Sequence, residues 1–487
     1  MIQRTGRVTS LVSGGAWLYV VLIVWAAALV LAQATGRLEP VAERVFGDLP
    51  YDAFLVETAR AVVLLLLPGV AIGVAIRPAW VVLLLAALPM AALQLFPGRV
   101  LDLLLLATLG GLLVVRRGVS IGWRSGFLGI GVLLAAASFH RADLTGETAL
   151  IARGFWNDLA FYVLIVLVTY NATRIGDLRG TPLVNALLIG LTLSVILENT
   201  SLSADPGIAS AGRLVSYLAA VGFALCFARI IIRMEDGRYY YRGLHTLLAI
   251  LFLMAMIPDL VRGAWLGALI AVFVISLLAH KRRYWVLIIA ALITMLIVPV
   301  TREQVVPSQA QAAGGGFTTG RSDLWSRLWD RVESGWPLGN GFGYTFTLTS
   351  PDLFGPGSSD FYTSPSQSFV YPHNDFIFWM VELGVIGLLG MLLFYGQLVM
   401  AFRSVSRSTR RNRIHAQILS GALITGFVSQ LVVSTFFFRA LAVPYFTAAG
   451  FIFGAREIDR IVLKPDARAS NLAFASSTPA ESFGSRQ

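Results

Sequence analysis

The sequence predicts an all-α, polytopic membrane protein with about fourteen transmembrane helices (roughly twelve to fourteen) and one large external loop. Of its 487 residues, 56% are hydrophobic and only 13% are charged, and the mean hydropathy is +0.74. Soluble domains are about a quarter charged, so this composition excludes a water-soluble fold. It also excludes intrinsic disorder, because the apolar content is far too high.

Fourteen runs of mostly apolar residues are each about long enough to cross a bilayer, which takes roughly 17 to 20 residues. They lie at about 15–34, 60–76, 79–96, 99–115, 121–139, 155–171, 182–197, 213–233, 244–257, 261–279, 284–300, 374–400, 414–437 and 440–455. Arg77-Pro78 and Pro97-Gly98 separate neighbouring runs and are typical of tight connections. Ala32-Gln33-Ala34 resembles a signal-peptide cleavage site, so the first run is either a retained span or a cleaved signal, and its length favours a span.

These runs divide the chain into four parts. We expect a membrane domain of about eleven spans in residues 1–300, an external loop at 301–372, three further spans in 373–456 and a disordered cytoplasmic tail at 457–487. The only cysteine, Cys226, lies in an apolar run, which excludes an intrachain disulfide and a cysteine-based zinc site.

The formal charge of +11 reports on membrane orientation. With a cytoplasmic N-terminus, about two thirds of the 38 Lys and Arg residues fall on the cytoplasmic side, as the positive-inside rule requires. The excess of basic residues is therefore explained without a nucleic-acid partner. The same orientation predicts a cytoplasmic C-terminus and a loop 301–372 that faces away from the cytoplasm.

The external loop contains a segment with helical period. Apolar residues recur on one face after Gly320-Arg321, at Leu324, Trp325, Leu328, Trp329 and Val332. Such a helix either lies in the plane of the lipid headgroups or packs on the bundle, and the two are compatible. The segment 335–343 alternates glycines but lacks a preceding strand, so it predicts an irregular turn and not a dinucleotide site.

The candidate functional residues are the polar groups that this orientation places on the external side. His373 directly follows the large loop, which contains no histidine of its own. Histidine has an ordinary pKa close to neutrality, although a structural role is more common for a lone histidine. Arg213, Arg262, Arg321 and Arg439 run against the charge bias. Either they snorkel to the interface, or their guanidinium groups gather to bind a phosphate or diphosphate. Carboxylates such as Asp323 and Glu382 lie on the same side, as partners of arginines or as helix caps.

Nucleotide-driven and metal-dependent hydrolytic chemistry has no motif here. The sequence contains no Walker motif, no His-Glu-x-x-His and no Gly-x-Ser-x-Gly. Energy must therefore come from the substrate or from a gradient.

The order of motifs around the loop resembles the O-antigen ligase and polysaccharide polymerase superfamily of bacterial envelopes. Arg213 precedes a span, Arg262 opens a later one, and Gly320-Arg321 lies in the loop, followed by His373-Asn374 and Glu382-Leu383-Gly384. The resemblance covers about residues 205–400. Arg213, Arg321 and His373 match family positions, and Arg262 matches one less closely.

The resemblance implies an inner-membrane glycosyltransferase that needs no metal or cofactor. Such an enzyme takes a glycan from an undecaprenyl-diphosphate carrier and transfers it, on the periplasmic side, to a hydroxyl of a saccharide or lipid A core acceptor. The resemblance implies a catalytic role for His373, Arg321 and Arg213. We expect a second set of residues to bind substrate: Arg262, Asp323, Trp325, Asn374 and Glu382.

Three functions remain open. The span number favours a polymerase that extends a lipid-linked glycan, working with other proteins of polysaccharide assembly. A ligase would transfer finished glycan to lipid A core or to a protein. A lipid-linked glycan flippase would also have many spans and external arginines, but transporters usually carry repeats or broken helices at mid-membrane.

Overall fold

The computed structural model describes a helical protein. The description covers residues 77–88, 104–106, 108–110, 112, 119, 134–142, 144, 146–201, 209–232, 240–257, 261–280, 285, 321–349, 352–353, 372–408, 410–432 and 439–463. Ten α-helices lie in these ranges: α1 (Ala79–Ala87), α2 (Gly146–Arg174), α3 (Gly180–Ser201), α4 (Ala209–Ile231), α5 (Tyr240–Met256), α6 (Arg262–Leu278), α7 (Arg321–Ser334), α8 (Asp375–Val405), α9 (Arg410–Val432) and α10 (Arg439–Leu463). Phe139–Arg141 and Tyr344–Thr347 form short 3-10 turns, and no strand occurs in the described ranges.

Within the described residues the structure is helical and without strands, which confirms the predicted all-α class. Among the described residues, four helical segments are long and apolar enough to cross a membrane: Ile151–Arg174, Leu214–Ile231, Asp375–Val405 and Asn412–Leu431. Helices α3, α5 and α6 supply shorter apolar segments. Eight predicted runs coincide with α2 to α6 and α8 to α10.

Several sequence predictions fall outside the described residues. The runs at 15–34 and 60–76 do so entirely, those at 99–115, 121–139 and 284–300 do so in large part, and the run at 79–96 does so beyond residue 88, after α1. The total of fourteen therefore stays a prediction. Helix α10 continues to Leu463, past the point where we expected the tail to begin, and the remainder of the tail is also outside the description.

Helix α4 lies at the centre of the described bundle, in contact with α3, α5, α6 and α9. The guanidinium of Arg229 on α4 donates hydrogen bonds to Asn185 Oδ1 of α3 at 2.6 Å and to His245 Nε2 of α5 at 2.7 Å. A Cβ at Gly222, about two turns earlier on α4, would meet the ring of Phe252, about two turns later on α5. Helices α4 and α5 are therefore antiparallel.

Two glycines bring α10 against α2. A Cβ at Gly450 would lie 2.8 Å from Val166 O, and a Cβ at Gly454 would lie 2.7 Å from Tyr170 O. A step of four residues along α10, from Gly450 to Gly454, moves the contact forward by four residues along α2, from Val166 to Tyr170. The two helices therefore run parallel. Glycines four residues apart are a typical close contact between membrane helices, because dispersion contacts replace the hydrophobic effect in lipid.

Candidate functional site

Helix α8 folds back on itself at Gly384. The rings of Phe376 and Tyr395 stack with their centroids 5.9 Å apart, whereas a straight helix would separate these positions by about 28 Å. Gly384 has φ 63° and ψ −146°, a conformation essentially restricted to glycine. The run at 374–400, predicted as one span, therefore consists of a short arm, Asp375–Leu383, packed back against a long arm, Val385–Val405.

The fold-back exposes backbone groups that bind the turn at 335–343. The amide of Asn340 donates to Val381 O at 2.9 Å, and that of Gly341 donates to Glu382 O at 3.0 Å. In return, the amide of Val385 donates to Pro337 O at 2.9 Å. A Cβ on Gly384 would overlap Pro337 O. The predicted irregular turn is confirmed, and its glycines permit this close approach.

The carboxylate of Glu382 holds the next part of the loop. Glu382 is fully buried, and its carboxylate accepts hydrogen bonds from the amide of Gly343, the amide of Thr345 at 2.7 Å and the hydroxyl of Thr345. We expected Glu382 to bind substrate. Because these protein donors already occupy the buried carboxylate, we now propose that it positions the loop instead.

Helix α7 packs on the short arm of α8. Leu324, Leu328 and Val332 are buried in one cluster with Met380 and Val381. The predicted apolar face is thus largely covered by protein, which favours the packed interpretation of this helix. Asp323, on the other face, is exposed.

Trp325 connects α7 to the turn that precedes α8. Its indole N–H donates to Pro372 O at 2.9 Å, and its ring packs against the cluster under α7. We expected Trp325 to bind substrate, and its observed contacts suit a residue that positions the neighbouring His373.

A second set of hydrogen bonds holds the chain that follows the 3-10 turn. The hydroxyl and amide of Thr349 donate to Asp352 Oδ2 at 2.6 and 2.7 Å, and Arg331 Nη2 donates to Asp352 O at 3.0 Å. The Thr349 hydrogen bonds, with Arg331 nearby, lower the pKa of the Asp352 carboxyl. The carboxylate therefore stays charged at neutral pH and holds Thr349, while the backbone carbonyl of Asp352 fixes this segment to Arg331 of α7.

His373 is half-buried. It lies between Pro372, whose carbonyl accepts the hydrogen bond from Trp325, and Asn374, the N-cap of α8. The φ of His373, 54°, is in the left-handed region, which costs a non-glycine residue about 1–3 kcal/mol and is concentrated at functional sites. Asn374 is the N-cap: its Oδ1 accepts from the amides of Phe376 and Ile377 at 2.9 and 3.1 Å. Its Nδ2 donates to Leu431 O at 3.3 Å. Its amide is thus used by the protein, so we now propose a positioning role for Asn374 in place of substrate binding.

For Arg213, Arg262 and Arg321 the structure describes backbone positions, and their side chains lie outside the description. A Cβ at Gly267 of α6 would lie 3.2 Å from Thr425 of α9, and Gln417 Nε2 of α9 donates to Leu278 O of α6 at 3.4 Å. Helices α6 and α9 are therefore antiparallel. This register places Arg262 level with Gln430, about one and a half turns beyond Thr425.

The position of Arg213 follows from the contact between α4 and α9. A Cβ at Gly421 would lie 3.1 Å from the backbone of Ala224. Arg229, later on α4, bonds Asn185 of α3, and His415, earlier on α9, bonds Thr181, which lies one turn from Asn185. Helices α4 and α9 are therefore antiparallel. Arg213, about three turns before Ala224, is therefore level with Val432. Arg321 begins α7 one turn before Trp325. The backbone positions of all three arginines thus converge with His373 at one end of the bundle, here called the loop end.

Sequence analysis missed three residues at the loop end. Ser138 Oγ accepts from the amide of Phe342 at 3.0 Å, and Arg141 Nη1 donates to Leu338 O at 3.1 Å. Gln430 is fully buried, and neither atom of its amide has a hydrogen-bond partner among the described residues. No motif marks these positions. A glutamine near the end of an apolar run was the one available signal for Gln430.

Within the described residues, no group of three or more His, Cys, Asp or Glu side chains could hold a metal ion. The expectation of a metal-independent reaction stays a prediction.

Comparison with known families identifies the segment that carries this geometry. Residues 247–392 match the family model described as O-antigen ligase. The matched segment contains α6, α7, the His373 turn and the fold-back at Gly384. This match confirms the resemblance to the O-antigen ligase and polymerase superfamily and supports a membrane enzyme of that general kind. No curated protein matches the chain.

Proposed function

We propose that the protein is a glycosyltransferase that moves a glycan from an undecaprenyl-diphosphate carrier to an acceptor hydroxyl. The observation that carries the proposal is the convergence of Arg213, Arg262, Arg321 and His373 at the loop end. These positions are remote in sequence, and three of them are permanently cationic. The match to the O-antigen ligase family supports the same chemistry.

In the proposed reaction, the acceptor oxygen attacks the anomeric carbon of the donor glycan. The bond from that carbon to the diphosphate oxygen breaks, and undecaprenyl diphosphate leaves with the bonding electrons. The hydroxyl proton passes to His373. Direct attack of this kind inverts the anomeric configuration.

The arginines stabilise the leaving group in this scheme. Arg321 and Arg213 bind the diphosphate as its negative charge develops, and Arg262 adds a third cation. A well-placed donor of this type contributes about 3–4 kcal/mol to transition-state stabilisation. The guanidinium group suits the task because its forked donors match two phosphate oxygens at once.

His373 is the general base in this proposal. A positioned base accelerates proton transfer by about a hundred- to ten-thousandfold. Trp325 on one side and Asn374 on the other hold the backbone of His373 in its left-handed conformation. The alternative role is that of a cation that binds the diphosphate, in which case His373 acts when protonated.

Gln430 is the further candidate for substrate contact. Its buried amide has no partner among the described residues, and a buried amide left unpaired costs about 1–3 kcal/mol, which a substrate contact would offset. Gln430 lies at the same height in the bundle as Arg262. Its side-chain amide is therefore suited to form a hydrogen bond with a sugar hydroxyl or a phosphate oxygen.

The loop end faces the periplasm in this proposal, and the protein resides in the bacterial inner membrane with both termini in the cytoplasm. Between the two enzyme classes, the predicted number of spans favours a polymerase, whereas the family description favours a ligase. The acceptor is accordingly a growing saccharide in the first case, and lipid A core or a protein in the second.

Deletion of the gene tests the proposal. The deletion strain is complemented with wild type, His373→Ala or, as a control, His280→Ala. His280 is exposed, also has a left-handed φ of 53°, and lies at the opposite end of α6 from Arg262. Envelope polysaccharide and extracted lipid-linked intermediates are then analysed by gel electrophoresis. Single repeat units on the carrier mean a polymerase, and full-length chains stranded on the carrier mean a ligase. Full rescue by His373→Ala would overturn the proposed base and favour a flippase.

A further inference from the structure

The turn at 335–343 presents two large apolar side chains to the outside of the protein. Trp336 is 61% exposed and Leu338 is 49% exposed. Pro337, between them, accepts the hydrogen bond from the amide of Val385. The pair is therefore fixed at the point where the long arm of α8 begins.

The long arm itself shows where this point lies relative to the bilayer. Its exposed apolar side chains begin with Ile386 and continue with Leu389 and Leu393, and no charged residue occurs until Arg403. The arm Val385–Val405 is about 31 Å long, which equals the thickness of the hydrocarbon layer, about 30 Å. Gly384 thus marks one boundary of that layer.

Helix α2 independently places the turn at 335–343 at the same boundary of the hydrocarbon layer. Phe155 stacks on Phe342 of the turn, with ring centroids 5.7 Å apart and planes inclined by 5°. From Phe155 to Arg174, the basic residue at the opposite end of α2, the distance along the helix is about 28 Å. Two helices therefore place the turn one hydrocarbon thickness from the basic end of the bundle.

We propose that Trp336 and Leu338 form a membrane anchor that seats the external turn at the boundary between hydrocarbon and headgroups. Lipid is the occupant of this surface because the surface continues the lipid-facing row of α8. Tryptophan suits the position because its ring is apolar and its N–H remains hydrated, which is why it is enriched at membrane interfaces. The anchor is independent of the chemistry proposed above.

Site-directed spin labelling tests the anchor in the full-length protein. Cys226 is the sole cysteine and is buried. In a Cys226→Ala background, each newly introduced cysteine is therefore the one site that the spin label can react with. Nitroxide is attached at Trp336→Cys or Leu338→Cys in nanodiscs of phosphatidylethanolamine and phosphatidylglycerol. Leu389→Cys provides the lipid reference, and Arg327→Cys, on the exposed face of α7, provides the aqueous reference.

Collisions with oxygen and with a water-soluble nickel chelate then report the environment of each label. We expect the ratio of oxygen to nickel accessibility for labels at 336 and 338 to be several-fold higher than for the label at Arg327→Cys. The ratio should be lower than for the label at Leu389→Cys. Nickel accessibility equal to that at Arg327→Cys would overturn the proposal. Low accessibility to both reagents with an immobile spectrum would also overturn it, because a protein surface would then cover the pair.

Discussion

The indole N–H of Trp325 donates a 2.9 Å hydrogen bond to the carbonyl oxygen of Pro372, across 47 residues of sequence. This bond joins helix α7 to the backbone immediately before His373. The short arm of α8 continues from that turn, so one tryptophan links the amphipathic helix of the loop to the proposed base.

Trp325→Phe tests this link. Phenylalanine keeps the packing of the ring but loses the donor, so we expect the free energy of unfolding to fall by about 1 kcal/mol. The turnover number should fall about tenfold with little change in KM for the lipid-linked donor, because the geometry of His373 changes and donor contacts do not. Trp329→Phe is the control, since Trp329 is exposed on the same helix. An unchanged kcat in Trp325→Phe would remove its positioning role.

Gly384→Ala should disrupt the fold-back of α8. An alanine there would overlap Pro337 O and would need a backbone conformation essentially restricted to glycine, so we expect a loss of about 3 kcal/mol or more. Thermal unfolding in detergent measures it. Gly390→Ala is a matched control in the same helix, because a Cβ there meets nothing within 4 Å. Equal melting temperatures for the two variants would contradict the strain at Gly384.

Glu382→Ala distinguishes a positioning role from substrate binding. Removal of the carboxylate leaves the buried amides of Gly343 and Thr345 without their acceptor, at about 1–3 kcal/mol for each donor. We expect lower stability and faster proteolysis within the loop. Thr345→Val should reproduce part of the effect, and a double-mutant cycle should show coupling. Normal stability with a raised KM would restore the substrate-binding interpretation.

Arg321→Lys should lose most activity while expression stays normal. Lysine keeps the charge but has no planar fork, so it binds a diphosphate through a single point charge. Arg327→Lys, at an exposed position of the same helix, should retain wild-type turnover. Near-normal turnover in Arg321→Lys would show that bidentate binding at this position is not required.

Gln430→Leu should separate stability from activity. Leucine removes a buried amide that has no partner among the described residues, so we expect an unchanged or higher melting temperature. If the amide contacts substrate, kcat/KM falls about tenfold or more in the same variant. Melting temperature and transfer rate are measured on one preparation. A variant that is both stable and fully active would assign Gln430 to packing alone.

Much of the helical architecture was predictable from local composition. The runs that predicted α2 to α6 and α8 to α10 are apolar because their side chains must be compatible with lipid or a packed interior. They are helical because a chain in lipid must satisfy its backbone hydrogen bonds within each segment. Helix α7 was predictable from the period of Leu324, Leu328 and Val332, because one helical face must be apolar to pack. The order of Arg213, Arg262, Arg321 and His373 around one loop was also sufficient to indicate the family.

The membrane class, the helices and the family resemblance can be inferred from the amino-acid sequence, because each depends on composition or on spacing along the chain. The three-dimensional packing was needed to show that α8 folds back at Gly384 and that Glu382 and Asn374 bind the protein's own backbone. It also decided that the backbones of Arg213 and Arg262 reach the same level of α9. These features depend on register between helices that are distant in sequence, and a contact of that kind leaves no periodic pattern in either segment.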